Sequence, residues 1–173
     1  MPKTDQGINR ERYMVIPRTL IFVRRDDQVL LLKGAPTKRL WANQYNGVGG
    51  HVERGEDILS AARRELHEET GLDTGEMRLA GTMIVDAGED VGVCVFVFTA
   101  EYQGGEVRPS PEGDLDWIPL DRLDAFPLVA DLRHLLRRLF LSPGARLPFS
   151  ARSYYDDYDR QIVEFIDQPG SGG

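Results

Sequence analysis

The sequence predicts an α/β domain in which one sheet lies between two layers of helix. Three observations predict it. Strand-like apolar runs recur along the chain, the helical stretch that ends before Gly71 has one apolar side, and leucines recur at helical spacing over residues 128–139. Each helix has an apolar face to bury, and the two faces of the sheet can accept one helix each. The expected architecture is therefore an α/β/α sandwich.

Composition limits the classes of function. A chain of 173 residues has the length of one ordinary domain, expected over 13–167, with a mobile N-terminus over 1–12 and a disordered Gly-rich tail over 168–173. The formal net charge of −7 disfavours a nucleic acid polymer as partner, because a phosphate backbone requires a basic face. The single cysteine, Cys94, excludes an intrachain disulfide and is expected in a buried strand.

No stretch of the sequence has the pattern of a signal peptide or of a membrane span. We therefore expect a cytoplasmic protein without a membrane partner. The sequence does not predict the oligomeric state.

The chain is expected to open on a hairpin. Residues 13–23 have strand composition with a break near Pro17, because proline cannot donate a ladder hydrogen bond. A polar turn at 24–27 separates this strand from a second one at 29–32.

A basic loop, residues 34–40, follows the hairpin and leads to a short strand at 45–48. Lys33, Lys38 and Arg39 lie just before the acidic stretch described below, and they could hold a polyphosphate. The alternative is that they are solvated loop charges.

A helix is predicted from Asp57 to Thr70. Asp57 can act as N-cap, and Gly71 can end the helix in the left-handed conformation. An apolar stripe at spacings of three and four, expected to dock on the sheet, consists of Leu59, Ala62 and Leu66.

The second half of the chain supplies the rest of the sheet and the second helix. Strands are predicted at 77–85 and 91–102, and the latter is apolar enough for a central strand covered on both faces. A strand-then-helix segment is expected around 117–120. The amphipathic helix at 128–139 should close the other face of the sheet. The tail, 147–167, has two strand-like pieces around an acidic turn.

The last turns of the first helix carry Glu65, Glu68 and Glu69. Residues three and four apart share a helix face, so these like charges repel, and the helix dipole disfavours anions near Gly71. A hard divalent cation would reverse this balance, because it binds oxygen ligands and leaves positions for water and phosphate. The alternative is a solvated acidic face.

The spacing of this stretch resembles the signature of the Nudix hydrolases at every defined position. The matching residues are Gly50, Glu56, Arg64-Glu65-Leu66, Glu68-Glu69 and Gly71-Leu72. The resemblance implies a Nudix-type α/β/α sandwich with a mixed central sheet. It also implies an enzyme that cleaves a nucleoside diphosphate linked to another group, with Mg²⁺ as cofactor and Mn²⁺ as an alternative.

The resemblance assigns metal binding to the glutamates. In the family, those matching Glu65, Glu68 and Glu69 bind divalent metals, and one of them can act as the base that deprotonates water; which one stays open. A further carboxylate commonly comes from the loop before a strand tryptophan. Glu112 is the first candidate for it, and Asp114 is the second.

Other positions acquire roles by the same resemblance. Arg64 would orient the carboxylates, and an ion pair with Glu56 would hold the loop before the helix. Gly49 and Gly50 would let the backbone turn where a side chain would obstruct metal or phosphate. Asn46 resembles the base-contacting asparagine of MutT-type hydrolases of oxidised nucleotides, although Asn-Gly is also common turn chemistry.

Two histidines and three aromatic residues are not assigned to the catalytic set. His51 and His67 occupy unspecified positions of the signature. Phe149, Tyr154 or Tyr155 could stack on a base, but packing in a core is the commoner outcome for aromatic strand residues.

The Asn46 segment and the closing hairpin favour a nucleoside triphosphate, including an oxidised purine such as 8-oxo-dGTP, cleaved to monophosphate and pyrophosphate. One departure weakens base recognition: similar enzymes carry an acidic pair where this chain has 126–129, and the nearest carboxylate is Asp131. ADP-ribose, nucleotide sugars and dinucleoside polyphosphates are alternatives, since the signature reports the diphosphate and not its substituent. The alternative from another class is a non-catalytic nucleotide-binding regulatory module.

Overall fold

The structure, a computed structural model, describes residues 2, 7, 9, 11–37 and 39–166. Lys38 and the tail over 168–173 lie outside the described residues, as do most of residues 1–12. The expectations about these segments, and the domain boundaries at 13 and 167, stay predictions.

The described residues form one mixed sheet. The strands are β1 (Met14–Arg25), β2 (Gln28–Gly34), β3 (Tyr45–Asn46), β4 (Met77–Val85), β5 (Val91–Glu101), β6 (Gly113–Pro119), β7 (Phe149–Tyr155) and β8 (Gln161–Ile166). Their order is β3-β2-β1-β5-β4-β7-β8, and β6 pairs with β2. The pairs β1/β5 and β4/β7 are parallel, whereas β2/β6, β4/β5 and β7/β8 are antiparallel.

The helices are α1 (Ile58–Thr70) and α2 (Leu132–Leu136), with a 3₁₀ helix at Leu120–Ala125 and a π-helical segment at Arg137–Leu141. In the part of the chain that the structure describes, no helix is long and apolar enough to cross a membrane.

Two hydrophobic clusters, one on each face of the sheet, hold the layers together. Neighbouring residues of β1 point to opposite faces. Ile21 packs in the cluster that contains Leu66 of α1, and Phe22 packs in the cluster that contains Leu132 and Leu135 of α2. The predicted α/β/α sandwich with a mixed sheet is therefore confirmed.

The predicted break at Pro17 is wrong. β1 is continuous and pairs in parallel with β5 from Met14 to Arg24. The carbonyl of Pro17 accepts a hydrogen bond from Val52 N at 3.1 Å, so Pro17 presents its backbone to the edge away from β5. The missing N–H therefore removes no bond between β1 and β5.

The predicted helix over 128–139 begins later than expected. Tyr45 N donates to Pro127 O at 2.8 Å, and Val129 N donates to Tyr45 O at 3.0 Å, so this segment is extended beside β3. Helical structure begins at Leu132. Leu128 still packs against the same core cluster as α2, which explains why the leucine spacing suggested one helix.

Both ends of α1 agree with the prediction. Asp57 Oδ1 accepts from Leu59 N at 2.9 Å and from Ser60 N at 3.0 Å, which caps the N-terminus. Gly71 has φ 72° and ends the helix in the left-handed conformation. These two caps fix the register of the helix, and with it the direction of its glutamates.

Candidate active site

The signature begins on a short backbone ladder between residues 17–21 of β1 and residues 48–52. Because the ladder is antiparallel, it fixes the turn before α1 to the edge of β1. Its hydrogen bonds run from Thr19 N to Gly50 O (2.8 Å), from Ile21 N to Val48 O (2.7 Å) and from Val52 N to Pro17 O (3.1 Å).

Both glycines of the turn are required by close contacts. Gly49 has φ +151°, and a Cβ there would collide with the carbonyl oxygen of Thr19. At Gly50 a Cβ would lie 2.5 Å from Glu65 Oε1. The carboxylate of Glu65 thus occupies the space that a side chain at residue 50 would fill.

The three glutamates of α1 have different surroundings. The side chain of Glu65 is 13% exposed and lies against Gly50, whereas that of Glu68 is 58% exposed. Glu69 is buried, and its Oε2 accepts a hydrogen bond from Gly49 N at 3.1 Å. The structure therefore brings Glu65 and Glu69 to the glycine turn and leaves Glu68 at the surface beside them.

Arg64 connects the loop to the glutamates. Its Nε donates to Glu56 Oε1 at 2.7 Å and its Nη2 to Glu56 Oε2 at 3.0 Å, which is the predicted ion pair. Its Nη1 donates to Glu65 Oε1 at 2.8 Å and to Glu68 Oε2 at 3.1 Å. Its Nη2 also reaches the carbonyl of His51 at 3.0 Å. One guanidinium thus joins both ends of the signature.

Glu56 is stabilised in its charged form. The hydrogen bond from Arg64 lowers the pKa of Glu56, and the bond from Glu53 N to Glu56 Oε2, at 3.0 Å, lowers it further. The loop before α1 is therefore held by an ionised carboxylate at neutral pH.

Among the described residues, no three His, Cys, Asp or Glu side chains are grouped as a metal site. Arg64 contacts two of the predicted ligands, Glu65 and Glu68. The donor chemistry still fits a hard divalent cation, since carboxylate oxygens share one helix face beside a turn without side chains.

The two candidates for the additional carboxylate lie where β6 meets β2. Glu112 precedes β6, and its carbonyl accepts from Ala35 N at 3.1 Å. Asp114 lies on β6 directly opposite Lys33 of β2. These positions do not decide between the two, and the role of Glu112 stays a prediction.

The predicted base-contacting residue, Asn46, makes a local bond. Its Oδ1 accepts from Gly47 N at 2.8 Å, which is the turn chemistry considered as its alternative role. The preceding residue, Tyr45, donates its hydroxyl to Asp116 Oδ2 at 2.6 Å, and Lys33 Nζ lies 5.8 Å from its ring centroid. Burial, followed by the bond to Asp116, raises the pKa of Tyr45 to about 12. Lys33 is thus placed beside Tyr45, and Leu32 is the residue opposite Asn46.

The aromatic residues of the tail are engaged elsewhere. Phe149 is in the core, with its ring centroid 5.2 Å from that of Phe165. Tyr154 donates its hydroxyl to Glu164 at 2.8 Å. A cavity of about 450 Å³ lined in part by Tyr154 and Tyr155 contains no residue of the signature.

The sequence did not single out Arg18. Its Nε donates to His51 Nε2 at 3.1 Å, across 33 positions of sequence. The available signal was alternation along β1, but that pattern does not reveal which segment pairs with the strand.

Comparison with known proteins agrees with this geometry. A model of the NUDIX domain matches residues 14–139, and the chain belongs to that family. It is 35% identical over 114 residues to the oxidized purine nucleoside triphosphate hydrolase of Danio rerio, covering 65% of this chain and 72% of that protein. It is 32% identical over 129 residues to the NAD-capped RNA hydrolase NudC of Stutzerimonas stutzeri, covering 73% of this chain but 44% of NudC.

The crystal structure of a MutT protein from Bacillus halodurans superimposes with a TM-score of 0.74 at 27% identity, covering 90% of this chain and 100% of that one. The protein is therefore a Nudix hydrolase, an enzyme of the pyrophosphohydrolase class. Nudix hydrolases generally use divalent metal ions and act on small nucleotide substrates.

Proposed function

We propose that this enzyme hydrolyses a nucleoside triphosphate, an oxidised purine nucleotide such as 8-oxo-dGTP being the first candidate, to the monophosphate and pyrophosphate with Mg²⁺ as cofactor. The observation that carries the proposal is the convergence of Glu65 and Glu69 on the turn at Gly49 and Gly50. This is a compact set of oxygen donors beside backbone that a diphosphate can approach.

Glu65, Glu68 and Glu69 are the proposed metal ligands, with Glu112 as the additional one. A bound divalent cation would acidify water and offset the charge of the diphosphate. Glu68, the most exposed of the three α1 carboxylates, can change rotamer with little disturbance of the core. No covalent intermediate with the chain is required.

In this proposal Arg64 and Glu56 position the loop and the neighbouring carboxylates and do not contact the phosphate. The fork between them holds the loop, and the remaining donors of Arg64 set the directions of Glu65 and Glu68. Gly49 and Gly50 keep the approach clear. Such positioning reduces the entropic part of the barrier.

The chain offers fewer candidate contacts for the nucleobase of the substrate than for its phosphates. Asn46 and Tyr45 form β3 just before the signature, and Lys33 lies beside the Tyr45 ring. The Danio rerio relative is named for oxidized purine nucleoside triphosphates. Lys38 belongs to the same proposed substrate set by sequence. A cytoplasmic location, expected from the sequence, is part of this proposal.

A second candidate is a diphosphate that joins two nucleosides or a nucleoside and a sugar, such as ADP-ribose, a nucleotide sugar, a dinucleoside polyphosphate or NAD. The similarity to NudC, which is named for NAD-capped RNA, favours keeping this class in the test.

The test is release of phosphate or pyrophosphate over a panel of canonical and 8-oxo nucleoside triphosphates, ADP-ribose, nucleotide sugars, NAD and dinucleoside polyphosphates, with Mg²⁺, with Mn²⁺ and with EDTA. We expect metal-dependent turnover with the highest kcat/KM for a triphosphate. A higher kcat/KM for ADP-ribose or NAD would select the second candidate, and turnover in EDTA would contradict the metal site.

A further inference from the structure

Arg18 and His51 form a cross-strand pair at the start of the signature. They are opposed in an antiparallel bridge, between the hydrogen-bonded levels at Pro17 and Thr19. Side chains approach most closely at such positions. Arg18 Nε donates to His51 Nε2 at 3.1 Å, so the pair is joined through its side chains as well.

The pair lies on the opposite side of the ladder from Glu65. Gly50 faces Glu65, and the neighbouring residue His51 therefore points to the other face. On β1, Arg18 is in phase with Leu20 and Phe22, which pack on the α2 side. His51 follows Gly50 directly in the chain, so the pair and the glutamates lie close together on the two faces of the same short backbone segment.

A polyphosphate at this place needs cationic partners, and Arg64 is already engaged. Its donors are used by Glu56, Glu65 and Glu68 and by the carbonyl of His51. Among the described residues, Arg18 makes a single side-chain hydrogen bond, through Nε. Within the described part of the chain its Nη donors are left for a ligand, and a guanidinium can bind phosphate with two parallel bonds.

His51 complements Arg18. When Nε2 accepts from Arg18, a neutral ring carries its proton on Nδ1, which can donate to an anion. His51 is exposed, and its backbone is fixed by Arg64 Nη2 at 3.0 Å. The pair is thus a set of donors next to the glycine turn, and the backbone of His51 is held in place.

We propose that Arg18 and His51 bind the terminal phosphate of a nucleoside triphosphate whose inner phosphates lie at the glutamates. This inference rests on the proposed function and deepens it, because it names the residues that would recognise the terminal phosphate. That phosphate distinguishes a nucleoside triphosphate from substrates such as ADP-ribose, whose two phosphates are both internal. ADP-ribose has two internal phosphates and a neutral sugar beyond them, so it offers no terminal dianion to the pair. Arg18 and His51 therefore determine substrate class without taking part in bond cleavage.

The test is calorimetric binding of two non-hydrolysable ligands in Mg²⁺, α,β-methylene-dGTP and α,β-methylene ADP-ribose, to the wild type and to Arg18→Gln, His51→Gln and Arg24→Gln. Arg24 is the matched control, since it is an exposed arginine in the same phase of β1 with one Nε bond, to Asp26 O at 2.7 Å. Residues six apart on a strand are separated by about 20 Å.

We expect Arg18→Gln to weaken binding of the triphosphate analogue by about tenfold to a hundredfold, which is the range for hydrogen bonds to charged groups. His51→Gln should weaken it less, the ADP-ribose analogue should change by less than about threefold, and Arg24→Gln should bind as wild type. Unchanged triphosphate binding in Arg18→Gln, equal losses for both ligands, or an equal loss in Arg24→Gln would each overturn the inference. If the wild type binds the triphosphate analogue but does not hydrolyse dGTP or 8-oxo-dGTP, the proposed function is wrong. The effect of Arg18→Gln on binding of the analogue can still be interpreted in that case.

Discussion

Arg64 donates two parallel hydrogen bonds to the carboxylate of Glu56, a residue eight positions earlier in the sequence. The bond from Nε is 2.7 Å long and the bond from Nη2 is 3.0 Å long. The same guanidinium reaches Glu65, Glu68 and the carbonyl of His51. A planar fork with five donors can satisfy all four partners at once, whereas a lysine ammonium cannot. The geometry of the signature loop therefore depends on an arginine at this position.

Arg64→Lys should lower kcat/KM by about a hundredfold, because small displacements of catalytic groups cost about that much. The measurement is steady-state kinetics with the best substrate of the panel. Arg63→Lys is the control, since Arg63 is exposed on the same helix and makes one long bond, of 3.5 Å, to Gly75 O. Equal activities in the two variants would contradict the positioning role of Arg64.

Glu68→Gln and Glu69→Gln should each lower the rate by about a hundredfold or more, because an amide would replace the anionic carboxylate of a proposed metal ligand while keeping its shape. Both variants should also need more Mg²⁺ for half-maximal activity. Glu76→Gln is the control, since Glu76 is exposed and pairs with Arg78. Turnover near the wild-type rate in both site variants, with intact far-UV circular dichroism, would rule out these metal ligands.

Gly50→Ala should impair activity more than stability. The added Cβ would lie 2.5 Å from Glu65 Oε1, and the end of this side chain can move away only by leaving its position at the turn. Gly75→Ala is a matched control, since its Cβ would also meet only a side-chain end, Gln103 Oε1, at 2.9 Å. Relative to wild type, kcat/KM should be at least about tenfold lower for Gly50→Ala than for Gly75→Ala. The two variants should have similar melting temperatures. Equal activity would show that Glu65 need not lie against the turn.

Tyr45 should make the protein less stable at high pH. Its pKa is raised from 10.0 to about 12 by burial and by the bond to Asp116. Between these values the folded chain holds a proton that the unfolded chain has released. The unfolding free energy therefore falls as pH rises from about 10 to about 12. The stability that depends on protonated Tyr45 is fully present below pH 10.

The measurement is urea unfolding at several alkaline pH values, together with phenolate absorbance. Tyr45→Phe removes this part of the pH dependence, and Asp116→Asn should lower the Tyr45 pKa by removing its acceptor charge. Identical alkaline stability profiles for the wild type and Tyr45→Phe would contradict the raised pKa.

The sequence was informative wherever interactions are local. α1 could be placed with both caps, since Asp57 and Gly71 act within the first and last turns. The Arg64 to Glu56 pair was also expected, from the resemblance of this stretch to the Nudix signature. Glu65, Glu68 and Glu69 share a face through helical periodicity alone.

Sequence patterns were less reliable where the decision depends on a distant segment. Pro17 suggested a broken strand, but its backbone faces the ladder at 48–52 and not β5. Residues 128–131 have helical spacing, but pairing with Tyr45 holds part of that segment extended. In both cases a partner from elsewhere in the chain supplied the hydrogen bonds that local propensity would have assigned differently.

By itself, then, the sequence determined the sandwich and the acidic face of α1, because periodicity and caps act over a few residues. Its resemblance to the Nudix signature indicated the family. Only the tertiary structure decided that Arg18 meets His51 across 33 positions and that Tyr45 meets Asp116 across 71. Such contacts depend on which strands pair and in which register, and a shift of one residue would turn every side chain to the other face.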